Sequence, residues 1–190
     1  VRSRCEQRDL LLSLATPAFH THVLELPYIV GSMGDNIPPW TFIYSMLNRP
    51  GTTAVYFPRG GTAAVTTRQV AQATLGAIEG DAPSSAWAIG GANWTWAQFA
   101  EQFFEVTGAR KRLLGLPQSI FAAFGVVENL RLMAQKKQSG LWLPRFAELQ
   151  YSNTFIDPAP AMAALGYEHD DVEAAVRAVI AAWLQRAARS

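Results

Sequence analysis

The 190-residue sequence predicts an α/β fold, and three observations carry that expectation. Short β-branched or apolar runs alternate with longer stretches of helical periodicity, the first strand candidate opens into a Gly-rich loop, and 49% of the residues are hydrophobic. A chain of this length buries one sizeable core and needs no second, so residues 1–190 are read as a single unit.

Mixed apolar and charged residues from Glu6 to Leu14 have helical spacing, and Thr16-Pro17 stops them, because the residue before proline disfavours the α region. His22 to Leu26 reads as a strand closed by Pro27, followed by the loop Gly31 to Asn36. A strand that runs into glycines is where α/β proteins place ligands. Pro38-Pro39 opens a short aromatic helix, Trp40 to Leu47, since a proline at the first turn forfeits no hydrogen bond. Thr53 to Phe57 is the next strand, and Pro58-Arg59-Gly60-Gly61 a turn. Thr66 and Thr67 are good N-cap types for a helix with Val70, Ala71, Thr74, Leu75 and Ile78 on one face, closed by Gly80.

Ala86 to Ile89 forms a strand and Gly90-Gly91 a turn. Phe99, Phe103 and Val106 then share one face of a helix ending at Gly108. Lys111 to Leu116 is a further strand, and Ser119 to Ala134 the longest apolar helix, weakened in the middle by Gly125. Gly140 and Pro144 mark residues 138–154 as irregular. Val172, Ala175, Val176, Val179, Ile180 and Trp183 make the apolar stripe of a last helix, whose acidic start, Asp170-Asp171, suits its dipole.

Charge argues against several partners. With 16 basic and 15 acidic side chains, the net charge of +1 offers no field for nucleic acid or an anionic membrane. The short basic runs at Ala109 to Arg112 and Arg131 to Lys137 are read as solvated. Ser119 to Val127 is apolar enough to invite a membrane-surface reading, but a lid or core helix is the preferred one. No stretch of about 18 apolar residues spans a bilayer, and the single cysteine, Cys5, fits a reducing compartment. A cytoplasmic protein without nucleic-acid or membrane partners is expected. His20 and His22 would face one side of a strand, but no third ligand follows at suitable spacing, so no metal site is expected. The chain begins on Val1 inside a helical pattern, as a piece of a longer protein would.

Several segments in order resemble the second half of the extended short-chain dehydrogenase/reductase family, the NAD-dependent epimerase/dehydratase-like proteins. Ser3-Arg4-Cys5-Glu6 is similar to the Ser-Lys-x-Glu that continues the family's Tyr-x-x-x-Lys helix. Leu24 to Gly31 is similar to the strand end that follows it. Arg59 to Ala71 resembles the segment leading into the substrate-side helix. Trp87 to Trp96 resembles Tyr-x-Ile-Gly-Gly-x-Asn-x-Thr, and Ala164-Leu165-Gly166-Tyr167 resembles the family's Leu-Gly-Tyr ending. The resemblance implies the C-terminal part of a Rossmann-like NAD(P)-binding fold with a small mixed α/β substrate-binding lobe.

It also implies roles. Arg4 stands at the active-site lysine, though its planar fork replaces a compact ammonium. Pro27, Tyr28, Ile29 and Val30 would lie beside the nicotinamide of NAD or NADP. Met33, Asn36 and Trp40 would line the substrate pocket, and Arg59 would bind an anionic group of a small-molecule substrate. Thr66 and Thr67 suit capping better than ligand contact, and Trp94 and Trp96 suit packing better than a cleft wall. The catalytic tyrosine would precede Val1, and no strand–Gly-rich turn–helix for a pyrophosphate occurs. The remainder of a parent protein is therefore an implied partner, and an oligomer is compatible with the residues. Three readings stay open: an NAD(P)-dependent oxidoreductase or epimerase/dehydratase, a non-catalytic NAD(P)-binding regulator of the same fold, and an unrelated α/β interaction module.

Overall fold

A computed structural model describes residues 2–31, 36–135 and 143–189. The first half of the chain forms α1 (Arg2–Ser13), β1 (His22–Glu25), β2 (Tyr28–Val30), a single 3-10 turn (Pro39–Thr41), α2 (Phe42–Leu47), β3 (Ala54–Phe57), β4 (Gly61–Thr66), α3 (Thr67–Glu79), β5 (Ser85–Ala88) and β6 (Ala92–Thr95). The second half forms α4 (Trp96–Thr107), β7 (Arg112–Gly115), α5 (Gln118–Ala134), α6 (Leu143–Tyr151), β8 (Asn153–Thr154), α7 (Ala159–Leu165) and α8 (Val172–Arg189). The predicted α/β class is what is observed, with parallel strand pairs. No described helix is long and apolar enough to cross a membrane.

The chain divides into two compact units. One comprises residues 1–38, 63–92 and 156–179, the other residues 39–62, 93–155 and 180–190. In the first unit β1 pairs in parallel with β5, from His22↔Ser85 to Glu25↔Ala88, and β2 pairs in parallel with β4, from Tyr28↔Ala64 to Val30↔Thr66. Helices α3 and α7 pack around Val65, Ala73, Ile89, Ala161, Leu165 and Tyr167, with Leu24, Ile29 and Trp87 against them. The contact is tight enough that a Cβ on Gly76 would sit 1.8 Å from the Leu165 carbonyl oxygen, so only glycine fits there.

Parts of three segments that carry the family resemblance, around Thr66, Gly90 and Tyr167, lie in this unit and are tied there by hydrogen bonds. Thr66 caps α3 in a reciprocal box with Gln69: its hydroxyl oxygen accepts the Gln69 N–H at 3.1 Å, and the Gln69 side chain accepts the Thr66 N–H at 3.1 Å. The Gln69 amide also donates to the Glu168 carbonyl, and the Thr66 hydroxyl donates to Asp170 at 2.6 Å. The Tyr167 hydroxyl accepts the Gly90 N–H at 3.2 Å and donates to the Gly90 carbonyl at 3.1 Å. The Leu-Gly-Tyr and Ile-Gly-Gly segments thus clamp one another.

In the second unit β3 pairs in parallel with β7, from Ala54↔Arg112 to Phe57↔Gly115, and β8 pairs with the start of β4 at Gly61↔Asn153. Its core is aromatic. Tyr44 stacks on Phe103 at 5.1 Å, Trp183 meets both rings edge-on, and Trp40, Trp94 and Trp96 gather round Phe99. Lys111 ties α2 down by donating to the Leu47 and Arg49 carbonyls and to Thr52.

Residues 138–154 were expected to be irregular, but Leu143–Tyr151 is helical and Asn153–Thr154 pairs as a strand. Pro144 is the reason: it falls in the first turn, where its missing N–H has no helical partner, and so it starts the helix instead of breaking it. Likewise the segment after Pro27 continues as β2 before any loop.

Candidate functional site

The two parallel strands β3 and β7 end side by side, and both ends carry residues suited to a ligand. Beyond Phe57 the chain turns through Pro58-Arg59-Gly60, and Phe57 is paired with Gly115. Ligands of α/β proteins gather at such carboxyl ends. A cavity of about 250 Å³ opens there, lined by Arg59, Gly60, Thr95, Ala97, Leu113 and Gly115 among others.

Arg59 is exposed, and its guanidinium lies against Gly115 so closely that a Cβ would come within 2.7 Å of Nε and 3.3 Å of Nη2. Among the described residues no carboxylate pairs with it. The cavity also receives the start of α4. Thr95 caps that helix, accepting the Gln98 N–H at 3.2 Å, and the Trp96 N–H is taken by the Gly60 carbonyl at 3.1 Å. Ala97, at the second helical position, lines the cavity, where first-turn N–H groups have no intrahelical acceptor and the helix dipole is positive. The cavity therefore joins a fork of guanidinium donors to a positive helix end. Sequence reasoning identified Arg59 but not this company.

Tyr151, at the end of α6, is not among the sequence candidates, because Gly140 and Pro144 mark its segment as irregular. Its hydroxyl donates to the Leu116 carbonyl, and Phe121 meets its ring edge-on at 5.9 Å. Burial pushes the phenol above the usual tyrosine range, and the positive charge of Arg59 partly offsets that rise. Tyr151 thus keeps its proton beside the cation. The Pro144 start of α6 would have been the available sequence signal.

A wider depression of about 680 Å³, lined by Glu101, Glu105, Arg110, Lys111 and Arg112, lies at the other end of α4. Its lining mixes both signs of charge, and its Lys111 ammonium is already engaged by the Leu47 and Arg49 carbonyls.

The remaining sequence candidates are dispersed. Arg4 is exposed on the first turn of α1. Pro27 stands where the chain leaves the β1–β5 pair for the β2–β4 pair, a change of partner that suits a residue without an N–H. Ile29 packs on the core of its unit, Val30 is buried, and Tyr28 is half-buried, its phenol pushed up by desolvation. Gly31 follows with φ +147°, and a side chain there would meet Thr67. Asn36 is exposed, and Met33 lies outside the described residues. Trp40 is half-buried in the aromatic cluster, in edge-on contact with Tyr44 at 5.8 Å, and does not line the Arg59 cavity. Trp96 is likewise packed, its indole N–H donating to the Gln150 carbonyl at 3.0 Å. The His22 Nδ1 accepts the Trp87 indole N–H at 3.2 Å, which gives that histidine a structural partner.

No family model and no curated protein matches the chain. Solved structures do, with low identity and over nearly its whole length. The protein gox2253 matches with a TM-score of 0.69 at 18% identity, over 96% of this chain and 54% of that one. RMD from Pseudomonas aeruginosa, solved with NADPH, gives 0.62 at 11% identity, over 97% and 55%. UDP-glucose 4-epimerase from Bifidobacterium longum, solved with NAD+ and UDP, gives 0.58 at 11%, over 96% and 52%. The chain thus has the fold of a portion of these proteins and spans about half their length.

Proposed function

We propose that this chain is the substrate-side portion of an NAD(P)-dependent epimerase, dehydratase or oxidoreductase, and that its β3–β7 cavity holds an anionic group of a small-molecule substrate through Arg59. The observation that carries this reading is the Arg59 guanidinium, without a carboxylate partner among the described residues, laid over Gly115 beside the positive end of α4. A planar fork of N–H donors matches a phosphate or carboxylate in bidentate fashion. The positive end of the α4 dipole adds to the same attraction. The neutral Tyr151 nearby leaves that charge uncancelled.

On the same reading Pro27, Tyr28, Ile29 and Val30 face the nicotinamide side through their backbone, since Ile29 and Val30 spend their side chains on the core. Met33, Asn36 and Trp40 are proposed as further substrate contacts, Trp40 offering a ring edge only. The described residues do not fit the pyrophosphate of a dinucleotide. The first turn of α3 faces the Asp170 carboxylate, which would repel a second anion, and no described strand runs through a Gly-rich turn into a helix. Holding the pyrophosphate and supplying a general acid/base therefore fall, in this proposal, to the remainder of a parent protein. An exposed arginine at position 4 favours a second reading, a non-catalytic NAD(P)-binding regulator of the same fold.

Titrating the chain with UDP by calorimetry tests the proposal. Saturable binding is expected, weakened at least about tenfold in Arg59→Gln, because one charge-assisted contact is worth ~1.5–3 kcal/mol. Equal affinities for the two proteins, with circular dichroism unchanged, would refute the role of Arg59.

A further inference from the structure

The β3–β7 cavity lies within one compact unit, and its walls narrow what it can hold. Phe57, Pro58, Ala97, Leu113 and Leu114 line it with carbon, and the polar side chains on it are those of Arg59 and Thr95. The Thr95 hydroxyl is spent on α4, donating to the Gln98 side-chain oxygen at 3.0 Å and accepting the Gln98 N–H. The Gly60 N–H goes to the Gln150 carbonyl at 3.2 Å, and the Gly60 carbonyl takes the Trp96 N–H. Pro58 has no N–H to give. The Tyr151 O–H, close to the same cation, is given to the Leu116 carbonyl. Among the described residues, Arg59 is thus the lining side chain with donors to spare.

Charge, polarity and size of the occupant follow from this inventory. One guanidinium presents parallel N–H groups to both oxygens of a carboxylate. A phosphate dianion would hold a second charge and a third oxygen over apolar walls, where an unpaired charge is costly. The walls favour carbon over hydroxyls, since a ligand hydroxyl covered by them would find no partner. At about 250 Å³ the cavity falls short of the ~300 Å³ at which pockets begin to enclose drug-sized ligands, so the base and ribose of a nucleotide would stay outside it.

We propose that the β3–β7 cavity is a site for a small monocarboxylate with a short apolar body, its carboxylate on Arg59 and its hydrocarbon against Phe57, Leu113 and Leu114. The inference rests on Arg59 as the anion anchor and names the substrate class of that site. UDP reports on the anchor through its phosphates and leaves the apolar walls unused.

Acetate, butyrate, hexanoate, inorganic phosphate and UDP, each titrated into nitrogen-15-labelled protein while the Arg59 Nε–Hε and Gly115 amide resonances are followed, test the two readings separately. Each methylene covered should tighten binding about fourfold, so hexanoate is expected to bind on the order of a hundredfold more tightly than acetate. Phosphate should bind more weakly than hexanoate. Arg59→Gln should abolish the saturable response of Gly115 to hexanoate. Leu114→Ser should weaken hexanoate severalfold and leave acetate and UDP unchanged. Equal affinities for acetate and hexanoate, with UDP still shifting Arg59, would overturn the carboxylate class and leave the anchor standing. No response of Arg59 to any of these anions would overturn both. A chain-length gain that survives Arg59→Gln would place the hydrocarbon elsewhere and overturn the inference. Tighter binding of phosphate than of hexanoate would put a phosphoryl group in the cavity instead.

Discussion

Replacing Tyr167 with Phe tests whether the Leu-Gly-Tyr and Ile-Gly-Gly segments are a structural clamp. The substitution keeps the buried ring and removes one oxygen, which makes two hydrogen bonds to Gly90, at 3.2 Å from the N–H and 3.1 Å to the carbonyl. Both residues are buried, so water does not replace the hydroxyl. Each bond contributes about 0.5–1.5 kcal/mol net, and a buried group left unsatisfied costs about 1–3 kcal/mol, so the loss is roughly 2–4 kcal/mol. For a chain of this size each kcal/mol lowers the midpoint by about 2–4 °C, giving a fall of roughly 5–15 °C. Thermal unfolding followed by circular dichroism reads it directly. A midpoint within about 1 °C of the parent's would mean that Gly90 is satisfied some other way and that the clamp is not structural.

Other substitutions address other parts of the account. The Tyr44 hydroxyl is buried without a hydrogen-bond partner among the described residues, so Tyr44→Phe should leave stability unchanged or raise it by about 1 kcal/mol in urea unfolding; a comparable loss would reveal a hidden partner. Gly115→Ala places a Cβ 2.7 Å from the Arg59 Nε, so it should lift the guanidinium and weaken UDP binding about tenfold. Unchanged affinity in calorimetry would detach Gly115 from the site. Alkaline unfolding has a definite sign. Burial holds Tyr28, Tyr44, Tyr151 and Tyr167 above the ordinary value of 10.0, so the native state keeps protons that the unfolded chain releases. Stability should be flat with respect to these groups below pH 10.0 and fall as pH rises beyond it; a rise in the urea midpoint there would contradict the burial of these phenols.

Much of the fold was legible because local signals agreed. Thr66 with Gln69 and Thr95 with Gln98 form the caps that mark helix starts, and Gly108 takes the left-handed conformation that ends α4. The failures have physical causes. β4 runs Gly-Thr-Ala-Ala-Val-Thr and is buried along its whole length, so it lacks the alternation of a half-exposed strand, and its glycine and two alanines carry no strand preference. α6 was hidden by a proline that begins it. Within the site, Arg59 was legible as a loop cation, and its resemblance suggested an anion. What the chain order could not convey was the register that sets Phe57 against Gly115, and with it the cavity, since pairing across more than fifty residues leaves no local trace. The start of α4 joins the site through the bond of the Trp96 N–H to the Gly60 carbonyl, and Tyr151 through its bond to the Leu116 carbonyl, contacts that are also distant in the chain.

The Arg59 side chain itself gives the most direct reading of the central claim. In nitrogen-15-labelled protein, titration with UDP should shift the Arg59 Nε–Hε resonance saturably, together with the amides of Gly60, Ala97 and Gly115 that line the same cavity. Shifts confined to Arg110, Lys111 and Arg112 in the depression at the far end of α4, with Arg59 unmoved, would contradict it.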